Sequence, residues 1–234
     1  MNTVAIEAIE IVKSLGEGAG QVLVLKGVSV SLAGGELTLL MRPSGSGKTT
    51  LLSVLGCILS PTAGVVRIGG RTTTGVPPEE LSKVRQQHIG FIFQSFHLFP
   101  TLTAEENVRL TLDMRGERTL AALAKAQQAL TTVGLAHKLN SFPQDLSGGE
   151  QQRVAIARAI VGDPSVILAD EPTAALDREN GLAIMGVLAN IAKDPARAVF
   201  AVTHDPRIEL FADRILSIED GRLVGDQPRS GQLS

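Results

Sequence analysis

The sequence predicts an α/β fold, with a parallel-sheet core, a β-rich N-terminal part and a mostly helical insert. Three observations carry that expectation. The apolar strand "LTLLM" runs straight into the glycine loop "RPSGSGKTT", and "LLSVLGCIL" follows with helical spacing. Strand-like and helix-like runs alternate again after residue 163. Between them, over roughly residues 95 to 163, the composition is helical. The expected division is one domain of 234 residues, with core segments at about 1–94 and 164–225, the helical part at about 95–163 and a loose tail at 226–234.

Each element follows from local pattern. "AIEIVK", "VLVLKGVSVSL", "ELTLL" and "GVVRIGG" are short apolar or alternating runs punctuated by glycine, which predicts strands. "VLVLKGVSVSLAGGELTLL" is interrupted by Lys26, Gly34-Gly35 and Glu36, so it reads as two strands and a turn. "IGFIFQ" reads as another strand. Thr103 and Glu106 have capping-box spacing ahead of "NVRLTLDM", and "TLAALAKAQQALTTVG" predicts an alanine-rich helix ending near Gly134. A further helix is expected from about Glu150 to Ile160. The strand "SVILAD", the helix "NGLAIMGVLANIAK", the strand "AVFAVTH" and the hairpin "RILSIEDGRLVG" complete the chain, before the tail "DQPRSGQLS".

Bulk properties exclude several classes. The formal charge is −2 and the pI about 6.1, so no global basic field recruits nucleic acid. One cysteine, Cys57, provides no disulfide framework and suits a reducing compartment. "MNTVAIEAIEIVK" carries acids among its apolar residues and does not read as a signal peptide. No stretch approaches the roughly 18 uninterrupted apolar residues of a membrane span. There is no Trp or Tyr, only seven Phe, which leaves little for stacking on a base.

The chemistry concentrates in three places. The first is the loop Arg42, Pro43, Ser44, Gly45, Ser46, Gly47, Lys48, Thr49 and Thr50. Main-chain N–H groups of a glycine turn and the start of the following helix form an anion site; Lys48 suits terminal phosphates and the Thr49 hydroxyl suits Mg²⁺. Position 42 departs from G-x-x-x-x-G-K-[ST] by having arginine where glycine is usual. Arg42 precedes Pro43, which favours extended backbone open to any residue, so the loop is expected to form with an added cation beside it. The second is Asp170 and Glu171 at the end of "VILADEP", where ligands sit in open α/β sheets; an Asp there can hold Mg²⁺ and an adjacent Glu can polarise water. The third is "LSGGEQQR". Ser147 and Glu150 have capping-box spacing, while Gly148 and Gly149 weaken the helix and uncover amides, which makes sense if those amides bind an anion.

Nearly the whole sequence resembles the ATP-binding-cassette ATPases. The resemblance is carried by the glycine loop, Gln94 in "FIFQ", "LSGGEQ", "ILADEP", "AALD" with Asp177, and His204 in "AVTHD", in the family's order. It implies a P-loop NTPase (RecA-like) core with an antiparallel β-subdomain and a helical subdomain, and ATP with Mg²⁺ as cofactors. It implies that the loop residues and Gln94 bind ATP, that Thr49, Gln94 and Asp170 ligate the metal, and that Lys48, Glu171 and His204 are catalytic. It further implies that Leu146, Ser147, Gly148, Gly149, Glu150 and Gln151 contact the ATP of a partner subunit, and that Asp177 couples the two sites of a homodimer. Leu15 stands where the family commonly has an aromatic residue against adenine.

"IGFIFQSFHLFPTLTAEENV" and "VLKGVSVSL" look similar to the branch of lipoprotein-release, macrolide-export and glycolipid-export ATPases. The resemblance implies a separate transmembrane permease as partner, received after Gln94, with the chain peripheral on the cytoplasmic face of the cell membrane. Phe96, Leu98, Phe99 and Leu102 read either as an exposed apolar groove for it or as core packing of the helical insert. Two alternatives stand beside this: a soluble cassette ATPase of DNA repair or translation, and a nucleotide-binding regulator with impaired turnover.

Overall fold

The computed structural model describes residues 3–41 and 45–228. Two sheets organise them. Strands β1 (Val4–Leu15) and β2 (Val22–Ala33) pair antiparallel, and β4 (Ala63–Ile68) and β5 (Arg71–Thr72) extend the sheet in the order β2-β1-β4-β5. The second sheet holds β3 (Glu36–Met41), β6 (Ile89–Ile92), β7 (Val166–Asp170), β8 (Ala198–Thr203), β9 (Arg214–Glu219) and β10 (Arg222–Pro228) in the order β10-β9-β3-β8-β7-β6. All its pairings are parallel except β9 with β10.

The stretch read as two strands and a turn thus spans two different sheets. Its turn requires glycine: a β-carbon on Gly34 would lie 2.2 Å from the Pro195 carbonyl oxygen, and Gly35 has φ of 81°.

Strand periodicity divides the interior. Leu37, Leu39, Ile167, Ala169, Val199 and Ala201 join a core shared with the helices α3 (Ala104–Met114), α4 (Leu120–Thr132), α5 (Gly148–Ile160) and α6 (Arg178–Ala192). Their neighbours Leu40, Val166, Leu168, Phe200 and Val202 face the opposite core, shared with the antiparallel sheet and α1 (Lys48–Leu55). A parallel sheet buried on both faces therefore carries α1 between the two sheets.

Two differences from the sequence reading stand out. Helix α2 (Pro78–His88) was not expected, because only Leu81 on it is buried and no apolar stripe announces it. Its signals are those of its ends: Pro78 in the first turn with Glu79 and Glu80, and Arg85 and His88 in the last. The tail expected from residue 226 instead begins as strand, since β10 runs through Pro228. Arg214 holds it with a two-bonded fork onto Asp226, both contacts at 2.7 Å.

Candidate functional site

Sheet register brings the chemistry together. Leu40 and Asp170 both stand opposite Val202, and Ala169 stands opposite Ile92. The loop after β3, the Asp170-Glu171 pair after β7, Gln94 after β6 and His204 after β8 therefore leave the sheet at one edge. They line a cavity of about 550 Å³. Gly45, Gly47, Lys48, Thr49 and Thr50 form its floor, and Gln94, Asp170, Glu171 and His204 its polar wall. Arg42, Pro43 and Ser44 lie outside the described residues.

The loop has the backbone a phosphate cradle needs. Gly45 and Gly47 have φ of 88° and 97°, and a β-carbon on Gly45 would enter open space. The buried Ser46 Oγ has no hydrogen-bond partner among the described residues, and Lys48 is buried at the first turn of α1. A cavity floor of left-handed glycines, a buried ammonium and an orphaned hydroxyl fits a polyphosphate. The turn between β9 and β10 supports it from behind, where Gly221 N–H donates to Ser46 O at 3.3 Å and Gly221 O accepts from Lys26 N–H at 2.8 Å.

On the wall, Thr49 Oγ1 lies 3.4 Å from Asp170 Oδ1. Burial raises the Asp170 pKa, the Thr49 contact lowers it, Glu171 raises it and Lys48 lowers it. Among the described residues no three His, Cys, Asp or Glu cluster as a metal cage. A hydroxyl, a carboxylate and the Gln94 amide are hard oxygen donors, however, and such a partial set suits a magnesium ion whose remaining ligands are phosphate and water.

Glu171 has φ of 47°, a left-handed conformation that costs a residue with a β-carbon about 1–2 kcal/mol. Its N–H donates to Val202 O at 3.0 Å. Its Oε1 lies 2.8 Å from His204 Nδ1, and against a carboxylate that nitrogen donates. The strained turn turns the carboxylate toward the cavity and the histidine holds it.

Several sequence-predicted residues lie elsewhere. Leu15, expected against the base, is an exposed residue at the end of β1 paired with Val22; Val24, one strand over, lines the cavity instead. Of the six residues at the start of α5, none lines the cavity of its own chain. Leu146 is buried in the helical core. Gln151 Nε2 donates to Leu146 O at 3.1 Å, and Glu150 is shared between the Ser147 cap and Lys138. Asp177 caps α6, accepting from Asn180 N–H at 2.9 Å. Val24 and Ala174 also line the cavity and were not singled out from sequence, although Ala174 lies within the "AALD" stretch.

With this geometry in view, residues 25–174 match the ABC transporter family. The chain belongs to that family. It is an ATP-binding-cassette ATPase with the P-loop fold. The macrolide export ATP-binding/permease protein MacB of Salmonella paratyphi A, and MacB of Escherichia coli K12, are each 41% identical to it over 226 residues. Those 226 residues are 97% of this chain and 35% of either relative, so the chain spans about a third of their length. Among solved structures, the dimeric ATP-binding cassette MJ0796 bound to ADP and Pi superposes with a TM-score of 0.87 at 38% identity, covering 97% of this chain and all of that one. The cassette cbiO1 of Clostridium perfringens, part of the cbiONQ transporter complex, gives 0.86 at 25% identity, covering 97% and 89%. Among the described residues, no helix is long and apolar enough to cross a membrane.

Proposed function

We propose that this ATPase powers an exporter of lipid-like, lipoprotein or drug-like substrates, working on the cytoplasmic face of a membrane with a permease. The observation that carries the proposal is the meeting of Lys48 and Thr49 with Asp170, Glu171, Gln94 and His204 in one cavity at the strand ends. Export is favoured by the 41% identity, across nearly the whole chain, to macrolide export proteins.

In the proposed reaction the amides of Gly45 and Gly47, with Lys48, hold the β- and γ-phosphates. Thr49, Asp170 and Gln94 would hold Mg²⁺, which would supply charge neutralisation at the phosphates. Glu171 orients the attacking water and accepts its proton, and His204 keeps that carboxylate in line through its Nδ1 contact. Ser147, Gly148 and Gly149 close on the γ-phosphate held by a second copy, and Asp177 lies at the junction of the two sites. The dimeric state of the similar cassette MJ0796 favours that arrangement.

Phosphate release from Mg·ATP by purified chain, measured over a range of protein concentrations, tests the reaction and its dimer dependence. A rate per chain that stays flat as concentration rises would argue against a shared site. Affinity purification from native membranes tests the partnership: recovery of a multi-span membrane protein at near-equal ratio is expected, and its absence would remove the transport reading.

A further inference from the structure

The loop after Gln94 carries unrelaxed backbone beside the nucleotide cavity. Phe96 and His97, with φ of 59° and 50°, are consecutive non-glycine residues in the left-handed region, which their β-carbons disfavour. Few main-chain bonds support the turn: Phe96 N–H donates to Phe93 O at 3.3 Å, and His97 N–H to Ser95 O. On one side aromatic packing steadies it. The His97 ring tilts onto Phe93 at 4.8 Å, and Phe93 stacks on Phe91 of β6 at 5.5 Å.

The other hold comes from α5. Arg158 Nη2 donates to Phe96 O at 2.7 Å, and Nη1 of the same guanidinium donates to His97 O. No carboxylate pairs with this arginine among the described residues; its fork is committed to the two carbonyls of the strained pair. A planar guanidinium matches two adjacent acceptors at once, which a lysine ammonium does not. The Phe96 ring also lies near the start of α5, 3.9 Å from where a β-carbon on Gly148 would be.

We infer that Arg158 is a positioning residue: by clamping Phe96 and His97 it sets the direction of Gln94 and ties Gln94 to the helix that begins at Ser147. The inference rests on the proposed role of Gln94 as a metal ligand. Removing the fork frees the turn to relax toward ordinary dihedrals, and Gln94, two residues upstream of Phe96, swings with it. Lys48 and the glycine loop are untouched, so the effect should fall on the metal-dependent part of nucleotide binding.

The test is binding of a fluorescent ATP analogue, with Mg²⁺ and with chelator, to wild type, Arg158→Lys, Gln94→Ala and the double variant. Arg158→Lys should bind as wild type does in chelator and lose roughly fivefold or more of the affinity that Mg²⁺ adds. The double variant should be no worse than Gln94→Ala, because a missing amide cannot be misdirected. If Gln94→Ala loses the Mg²⁺ gain while Arg158→Lys keeps it, or if the two losses multiply, the inference is overturned and the reading of Gln94 stands. If Gln94→Ala itself keeps the gain, the reading of Gln94 fails and takes the inference with it.

Discussion

Helices α3 and α5 start on the same cap and differ in what comes next. Thr103 and Ser147 each accept from the N–H three residues on at 3.3 Å, and Glu106 and Glu150 each return the bond to the cap N–H at 2.8 Å. At α3 the next two N–H groups are used within the chain: Ala104 donates to Ser141 O at 2.9 Å and Glu105 to Leu139 O at 3.0 Å. At α5 the next two residues are glycines, and their N–H groups have no hydrogen-bond partner among the described residues. The glycines themselves are not equivalent. A β-carbon on Gly149 would lie 2.6 Å from Asn180 Oδ1, and Asn180 is fixed by Asp177, so packing inside the chain demands that glycine. A β-carbon on Gly148 would make only ordinary contacts, 3.5 Å from Leu176 and 3.9 Å from Phe96. Packing among the described residues therefore leaves room for a side chain at 148. The contrast separates a helix start whose next two N–H groups are bonded within the chain from one whose next two N–H groups are not, among the described residues.

The largest effect should come from the cavity that the open helix start would close. Glu171→Gln removes the water-orienting carboxylate and should lower turnover by on the order of 10²–10⁴ while nucleotide still binds. The variant should accumulate as an ATP-bound dimer on size-exclusion chromatography. Wild-type turnover in this variant would falsify the role of Glu171.

Next in size is the complementation of the two halves. Ser147→Arg and Lys48→Ala should each be inactive alone, one through the open helix start and the other through the loop. Mixed, they form dimers with one complete site and one doubly damaged site, so activity should return. Thr103→Arg at the finished helix start should show no such partnership. Proven mixed dimers without recovered turnover would mean that Ser147 does not act on a partner.

The glycine pair sharpens the comparison further. Gly149→Ala forces Asn180 aside and should destabilise the fold by about 1–3 kcal/mol. Gly148→Ala should hold or raise thermal stability, since alanine suits a helix better by about 1 kcal/mol, yet it should lower turnover. Equal stability losses in the two would erase the distinction drawn between them.

Smallest are the caps. Thr103→Ala and Ser147→Ala should each cost about 1 kcal/mol in denaturant unfolding, but only Ser147→Ala should slow hydrolysis. Both cap glutamates have lowered pKa values, mainly through the N–H bond from Thr103 to Glu106 and from Ser147 to Glu150. A depressed carboxylate contributes stability above its unfolded value, roughly pH 4.3 for Glu, and loses it as pH falls through the folded value. Acid should therefore weaken both helix starts together, and in Glu106→Gln and Glu150→Gln that portion of the acid loss should be missing.

Much of the site was legible because its signals are short. The turn at Gly45 and Gly47, the Asp170-Glu171 pair closing a buried strand, and both capping boxes depend on neighbours within a few residues. Helix α2 was missed because it buries little beyond Leu81, so its periodicity is weak. Leu15 stands against the base only through the resemblance, which places it where the family commonly has an aromatic residue; in the structure it is Val24 that lines the cavity, while Leu15 pairs with Val22. The Arg158 fork left no trace in local pattern, because its acceptors are main-chain carbonyls some sixty residues earlier.

The sequence by itself determined the elements, their order and the residue types that can hold a phosphate, a metal and a water. Hydrogen bonding within a turn and apolar periodicity along a helix or strand are local, so they can be read without knowing the fold. Only the tertiary structure decided which strand ends share an edge, that β2 and β3 part into different sheets, and that a β-carbon at Gly149 would collide with Asn180 while one at Gly148 would make only ordinary contacts. Those outcomes depend on parallel register and on side chains meeting across long stretches of sequence, where a shift of one residue would exchange one face of a strand for the other.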